Sequence, residues 1–219
     1  MWRADNFFEN EPETIEWIDK FSPKTVFWDI GANVGIYSIY AGLNPKLKIF
    51  SFEPAANNCH LLNHNIIINN MDERINALCV AFSDQTQFSK FYMSDIEAGS
   101  AHHSFGKPVN QFGKELNYQY SQSMIAYSID DFLTQFDIPF PNYIKIDVDG
   151  IEHQIILGAQ KTLSDERLVS ILIELDNGRI DYSQTIKIIE KSGFSMISKH
   201  QLLLDPVTGT ELANYIFCK

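Results

Sequence analysis

Val26-Phe27-Trp28-Asp29-Ile30-Gly31-Ala32-Asn33-Val34-Gly35 runs from an aromatic and β-branched segment straight into a turn with a glycine at each end. Residues 25–30 read as a buried strand, and residues 35–43, stopped by Asn44-Pro45, read as the helix that follows. The next apolar run, residues 47–52, ends in Glu53-Pro54. A strand, a tight turn, a helix and a second strand ending in an acid make one βαβ unit. In an open sheet of such units, ligands sit outside the carboxyl ends of the strands. Asp29 to Gly35 and Glu53 are therefore candidate binding positions. Glycines at 31 and 35 let a ligand approach the turn closely, and a carboxylate at 53 can accept both hydroxyls of a ribose.

The alternation continues on both sides. A helix over 13–21 stops before Ser22-Pro23, so residues 1–24 read as an N-terminal helical cap. A helix over 54–69 precedes a third strand, 75–82, and an extended run, 88–93. Later come an extended run over 124–129, a helix over 130–136, a strand over 143–148, a helix over 152–163, a strand over 168–175 and a helix over 183–192. Two strands, 194–199 and 214–218, close the chain as an antiparallel hairpin at one edge. The implied fold is α/β: a mostly parallel seven-stranded sheet with helices on both faces, in a single domain over 1–219. Residues 94–123 break the pattern. They are rich in Ser, Gly, Asn and Gln and read as an irregular insert, a lid over the acceptor.

The chain carries 17 Lys and Arg against 28 Asp and Glu, a formal charge of -11. Nucleic acids and anionic membranes are held mainly by basic patches, so neither is an expected partner. No apolar run approaches the roughly 20 residues that span a bilayer. The polar first residues argue against an export signal, and Cys59, Cys79 and Cys218 form no CxxC pair. A cytoplasmic location is expected.

The turn lacks the G-x-G-x-x-G spacing by which helix amides hold a pyrophosphate, and Asp29 places negative charge beside it. A ligand with a cationic portion and no phosphate suits it, and S-adenosylmethionine meets that description. The plainer alternative is a turn capped by Asn33, with Glu53 merely near the next helix.

These residues resemble the FkbM family of S-adenosylmethionine-dependent methyltransferases, as do Ser51-Phe52-Glu53-Pro54, Ser128-Ile129-Asp130 and Ile144-Lys145-Ile146-Asp147-Val148-Asp149-Gly150-Ile151-Glu152. The likeness spans about residues 25–176, with Asp149 where the family usually has Glu. It implies a class I methyltransferase (Rossmann-like) fold and O-methylation of a hydroxyl on a sugar, glycan or secondary metabolite. It also implies that Asp29, Gly31, Asn33 and Gly35 surround the methionine part of the cofactor, that Glu53 holds the ribose, and that Ala81, Ser83 and Asp84 contact the adenine.

An alcohol is a poor nucleophile until its proton leaves, so a base or a metal ion is expected near the fourth parallel strand. Asp147 and Asp149, at i and i+2, read as facing the same way, and Glu174, Asp176 and Asn177 end the next strand. In one mechanism Asp149 or His153 takes the proton while Asp147 orients the cofactor. In the other, Asp147, Asp176 and Asn177 hold a divalent cation such as Mg, although Asp176-Asn177-Gly178 is also a plain turn. His102, His103, Phe105, Phe112, Tyr118 and Tyr120 read as lid residues or as ordinary loop, and Lys145 reads as facing solvent or a neighbouring acid. A small-molecule or glycan acceptor is the expected partner. The competing functions are a catalytically silent S-adenosylmethionine-binding module and a Rossmann-type oxidoreductase; the absent pyrophosphate fingerprint counts against the second. A base-amine methyltransferase would carry [N/D]-P-P-[Y/F] where this chain has Asp147-Val148-Asp149-Gly150.

Overall fold

A computed structural model describes residues 11–95, 97, 99–100, 103–109, 115–204 and 209–219. The first half contains α1 (Pro12–Asp19), β1 (Val26–Ile30), α2 (Ile36–Gly42), β2 (Lys48–Phe52), α3 (Ala56–Ile68), β3 (Ile75–Leu78), β4 (Ala81–Phe82), β5 (Gln87–Met93) and β6 (Ser104–Phe105). The second half contains β7 (Tyr120–Tyr127), α4 (Ile129–Gln135), β8 (Tyr143–Ile146), α5 (Glu152–Leu157), α6 (Gln160–Ser164), β9 (Ser170–Asp176), α7 (Tyr182–Lys191), β10 (Ser195–Leu204) and β11 (Glu211–Cys218).

The main sheet has seven strands in the order β10-β11-β9-β8-β1-β2-β3. β1, β2, β3, β8 and β9 are parallel, and β11 lies antiparallel between β9 and β10, with β10 at the edge. β1 sits centrally and is buried on both faces, so its side chains alternate between two cores. Trp28 and Ile30 join Phe52, Phe82, Phe132 and Ile155 on one side. Phe27 joins Trp17, Leu62, Ile66, Leu172 and Ile216 on the other.

Three elements depart from the sequence pattern. The expected third strand is two: β3 pairs with β2, whereas Ala81–Phe82 leaves the main sheet and pairs with β7. β4, β7, β5 and β6 form a second, four-stranded sheet. β7 takes in Tyr120 to Ser123, which the sequence placed in the irregular insert. The expected helix over 152–163 is broken at Gly158, where an added Cβ would lie 2.2 Å from the Ser83 carbonyl oxygen. The second piece starts afresh because the Asp130 carboxylate accepts from the amides of Lys161 and Thr162, both at 2.9 Å.

Candidate active site

The turn after β1 is bent into place by β2: the amides of Gly31 and Ala32 both donate to the Phe52 carbonyl, at 2.9 and 3.0 Å. Gly31 has φ +84°, and a Cβ there would stand 1.7 Å from the main-chain oxygen of Asp147. Only glycine allows β1 and the end of β8 to meet this closely. Asn33 follows in the left-handed region, φ +51°. Its amide donates to Glu53 Oε2 at 2.8 Å, so the acid at the end of β2 is tied to the turn after β1.

Glu53 is 4% exposed, and its Oε1 accepts from the Ala55 amide at 2.8 Å. Burial pushes its carboxyl up to about 7, against the pull of those two amides and Asn58. Oε1 also accepts from Asn58 Nδ2 at 3.5 Å, so Oε2, with Asn33 as its one donor among the described residues, keeps acceptor capacity for a further donor. Glu53 and Asn33 line a cavity of about 690 Å³ whose apolar wall is built by Phe52, Val80, Ala81, Phe82 and Ile151.

The described part of the 94–123 insert closes this cavity. The Ser100 carbonyl accepts from Asn33 Nδ2 and Asn58 Nδ2, both at 3.0 Å, and the Gly99 amide donates to Asn58 Oδ1 at 2.7 Å. His103 and Phe105 complete the lining beside Phe91. The described part of the insert lies over the Glu53 side and, through the His103 amide, beside Asp149. Asn58 is the unforeseen residue here. Its only sequence signal is its place in the first turn of the helix after Glu53.

The residues fit a nucleoside cofactor. A buried acid with spare acceptor capacity suits a ribose diol, an apolar slot beyond it suits a purine, and among the described residues no cluster of basic side chains lines the cavity to call for a phosphate. Gly31, Asn33, Glu53 and Ala81 all reach the lining. Gly35, φ +86°, instead packs the helix start, since a Cβ there would meet Leu62 Cδ1 at 2.3 Å. Ser83 and Asp84 turn away toward Gly158 and bond each other.

Asp29 does not reach the cavity. It is fully buried on the opposite face of β1, where Oδ2 accepts from Ser38 Oγ at 2.6 Å and Oδ1 has no hydrogen-bond partner. Burial raises its pKa, with Lys145 opposing. The face change follows from strand alternation: Ile30 points to the cavity and Asp29 away.

Asp29 belongs to a buried polar band that the sequence reading missed. In register across the sheet stand Ser51 on β2, Asp29 on β1 and Lys145 on β8, with Glu174 on β9 opposite Asn214 on β11. The signal was present: a polar residue on the same face near the carboxyl end of each of four apolar parallel strands, β1, β2, β8 and β9, met by Asn214 in the first half of antiparallel β11. Lys145, expected toward solvent, is 1% exposed. Its Nζ bonds Asp147 Oδ2 at 2.6 Å and lies 4.9 Å from the centre of the Tyr37 ring. Burial opposes its charge, but Asp147, Glu11 and Asp29 more than compensate and raise its pKa. Glu11 and Glu13, ahead of and at the start of α1, both accept from Asn214 Nδ2. Asp147 lies where this band meets the cofactor cavity, which it also lines.

The other expected acceptor residues are scattered. β8 ends at Ile146 and Asp149 has φ +61°, so strand alternation does not relate Asp149 to Asp147. Asp149 still lines the cavity, and its Oδ2 accepts from the His103 amide at 3.3 Å. The loop is held from inside by Glu152, which accepts from the Gly150 amide at 2.9 Å and is pushed up to about 7 by burial. His153 points to α7, its Nδ1 2.8 Å from Thr185 Oγ1, and is not part of the lining. Asp176 Oδ1 accepts from the Gly178 amide and Asn177 Oδ1 from the Glu211 amide, both at 2.8 Å. These two side chains are engaged in closing the turn after β9; among the described residues no group of three His, Cys, Asp or Glu side chains gathers to hold a metal ion. Tyr118 and Tyr120 are exposed on the second sheet. His102 and Phe112 lie outside the described residues.

The family model of the methyltransferase FkbM domain matches residues 29–196. The chain belongs to the FkbM methyltransferase family. This FkbM-family chain is 23% identical to the hexuronic acid methyltransferase AglP of Haloferax volcanii, over 89% of its length and 74% of the relative's. It is 27% identical to the 2-O-methyltransferase NoeI of Sinorhizobium fredii, over 67% of its length and 62% of the relative's. Among solved structures, an FkbM methyltransferase from Methylobacillus flagellatus superimposes with a TM-score of 0.55 at 16% identity, covering 90% of this chain and 44% of that one. A precorrin-6y C5,15-methyltransferase from Geobacter metallireducens gives 0.54 at 14% identity, covering 95% and 86%. Those two likenesses are of fold, and the fold is that of class I methyltransferases. The FkbM-family chain is accordingly an S-adenosylmethionine-dependent methyltransferase. No helix among the described residues is long and apolar enough to cross a membrane.

Proposed function

We propose that this chain methylates a hydroxyl oxygen of a sugar, a glycan unit or a secondary metabolite. One observation carries the reading: Asp147, held by Lys145, stands where the cofactor cavity meets a polar band that reaches β9 and β11. A carboxylate fixed there can accept a hydrogen bond from an acceptor hydroxyl and aim its oxygen. One relative is a 2-O-methyltransferase, which supports oxygen as the target, and another acts on a hexuronic acid, which supports a sugar acceptor.

Bound S-adenosylmethionine supplies a methyl group on a positively charged sulfur. The chain's own part is placement. Glu53 receives the ribose hydroxyls, Val80, Ala81 and Phe82 flank the purine, and the Ser100 segment shuts water out of that end. The excess of acids, with a chain charge of -11, disfavours nucleic acid. Three free thiols support a reducing, cytoplasmic setting.

The test is incubation with labelled S-adenosylmethionine and a panel of methyl hexosides, uronic acids and macrolide alcohols, with mass spectrometry of the products. Methyl ethers are expected. Transfer confined to nitrogen or carbon, or to RNA, sinks the reading.

A further inference from the structure

We propose that Glu174 is the base that takes the acceptor's hydroxyl proton, with the Lys145–Asp147 ion pair as its positioning partner. The inference rests on the methyltransferase reading above and names a residue of the polar band next to Asp147, outside the lining of the cofactor cavity.

Sheet register places the three groups together. Ile146 pairs with Ile173, so Asp147 and Glu174 are the next residues on adjoining parallel strands. The chain stays extended through Asp147, whose amide donates to the Ile30 carbonyl at 3.1 Å. Glu174 therefore falls beside Asp147, on the same face as Lys145 and Asp29 and across from Asn214 on β11.

Partners separate the acids of this band. Asp147 is locked to Lys145, and Asp29 accepts from Ser38. Glu11 accepts from Thr14 and Asn214, and Glu13 from Asn214. A carboxylate bonded to a buried ammonium is a weak proton acceptor. Glu174 alone of this group has no side-chain hydrogen bond or ion pair among the described residues, and part of its surface stays in contact with solvent. Charged groups act on it from several elements: Lys145 from β8, Asp147 just past its end, Glu152 from α5 and Glu11 from the segment before α1. Burial and three negative neighbours against one ammonium push its carboxyl well above the ordinary range. Once ionised, such a carboxylate is strongly basic.

The step balances. Glu174 takes the hydroxyl proton as the acceptor oxygen bonds to the methyl carbon; the carbon–sulfur bond breaks and its electron pair stays on sulfur as a neutral thioether. The proton then leaves Glu174 through its exposed edge.

Two readouts decide the assignment. The first needs no acceptor: carbon NMR of protein labelled at the glutamate carboxyls, titrated with S-adenosylhomocysteine bound. A carboxyl titrating well above 4.5 that disappears in Glu174→Gln is expected; an ordinary titration for the resonance that disappears overturns the proposal. The second is turnover on any methylated panel member. Glu174→Gln should lose about 100-fold or more in kcat, with S-adenosylhomocysteine affinity within about twofold of wild type. Glu174→Asp should restore part of the rate with a shifted pH profile, which a purely structural role would not produce. A Glu174→Gln rate within about threefold of wild type overturns the proposal. Failure of wild-type protein to bind S-adenosylhomocysteine would instead strike the methyltransferase reading.

Discussion

Lys145 Nζ and Asp147 Oδ2 lie 2.6 Å apart, two residues apart on one strand end, with the lysine 1% exposed and the aspartate 31%. The pair is intrastrand, so it costs little chain entropy to form, and its ammonium has been taken almost wholly out of water. Breaking it from the acid side strands a buried charge. Asp147→Asn is expected to lower stability by about 3 kcal/mol and to abolish turnover. Lys145→Met, similar in length and uncharged, should cost less. Urea unfolding of both variants checks the order, and a Lys145→Met loss larger than that of Asp147→Asn contradicts the account.

Glu53 joins the turn after β1 to the cofactor cavity through Asn33 and Ala55. Glu53→Ala removes a charged acceptor from two main-chain amides and from the ribose. Affinity for S-adenosylhomocysteine should fall by about 1.5 to 3 kcal/mol, measured by calorimetry. Unchanged affinity would show that the ribose lies elsewhere.

Gly31 and Gly106 share a left-handed backbone, φ +84° and +83°, but differ in surroundings. Among the described residues a Cβ at Gly106 meets nothing within 4 Å, whereas one at Gly31 lies 1.7 Å from the Asp147 main-chain oxygen. Gly106→Ala should cost about 1 kcal/mol from backbone strain alone. Gly31→Ala should cost about 3 kcal/mol or more, by forcing β1 and β8 apart. Equal losses in thermal melts would count against the close approach.

Buried acids set the pH dependence of the apo protein. Glu53 and Glu152 are raised from 4.5 to about 7 by burial. Between those values the folded chain holds more protons than the unfolded one, so their contribution is fully present below about 4.5 and is lost as pH rises through about 7. The melting temperature should therefore fall between pH 5 and pH 8. Glu152→Gln should flatten that slope, and a melting temperature rising with pH over this range would refute the assignment.

Asn58 holds the insert against the cavity through Gly99 and Ser100. Asn58→Ala should speed proteolysis between residues 94 and 106 and weaken S-adenosylhomocysteine binding. A variant with faster cleavage but intact affinity would return the insert to the acceptor side.

The sequence by itself determined the α/β alternation, the turn at Gly31 to Gly35 and the acid at Glu53. These are local: hydrophobic period, glycine spacing and strand ends are written along one short stretch each. It also drew attention to Asp147, because an acid ending an apolar strand stands out. Tertiary structure decided which face each of these residues serves. Asp29, one residue before a cavity-lining isoleucine, is turned to the other side of the sheet, and His153 is turned to α7. Lys145 looks like a surface lysine in a linear reading; only the pairing of β1, β8 and β9 shows it buried among acids contributed by three separate parts of the chain. The insert likewise declared itself as irregular, but its place over Glu53 depends on Asn33 and Asn58 reaching it from distant elements. Charge burial and close packing are properties of neighbours in space, and no periodicity in one strand records which strand lies beside it.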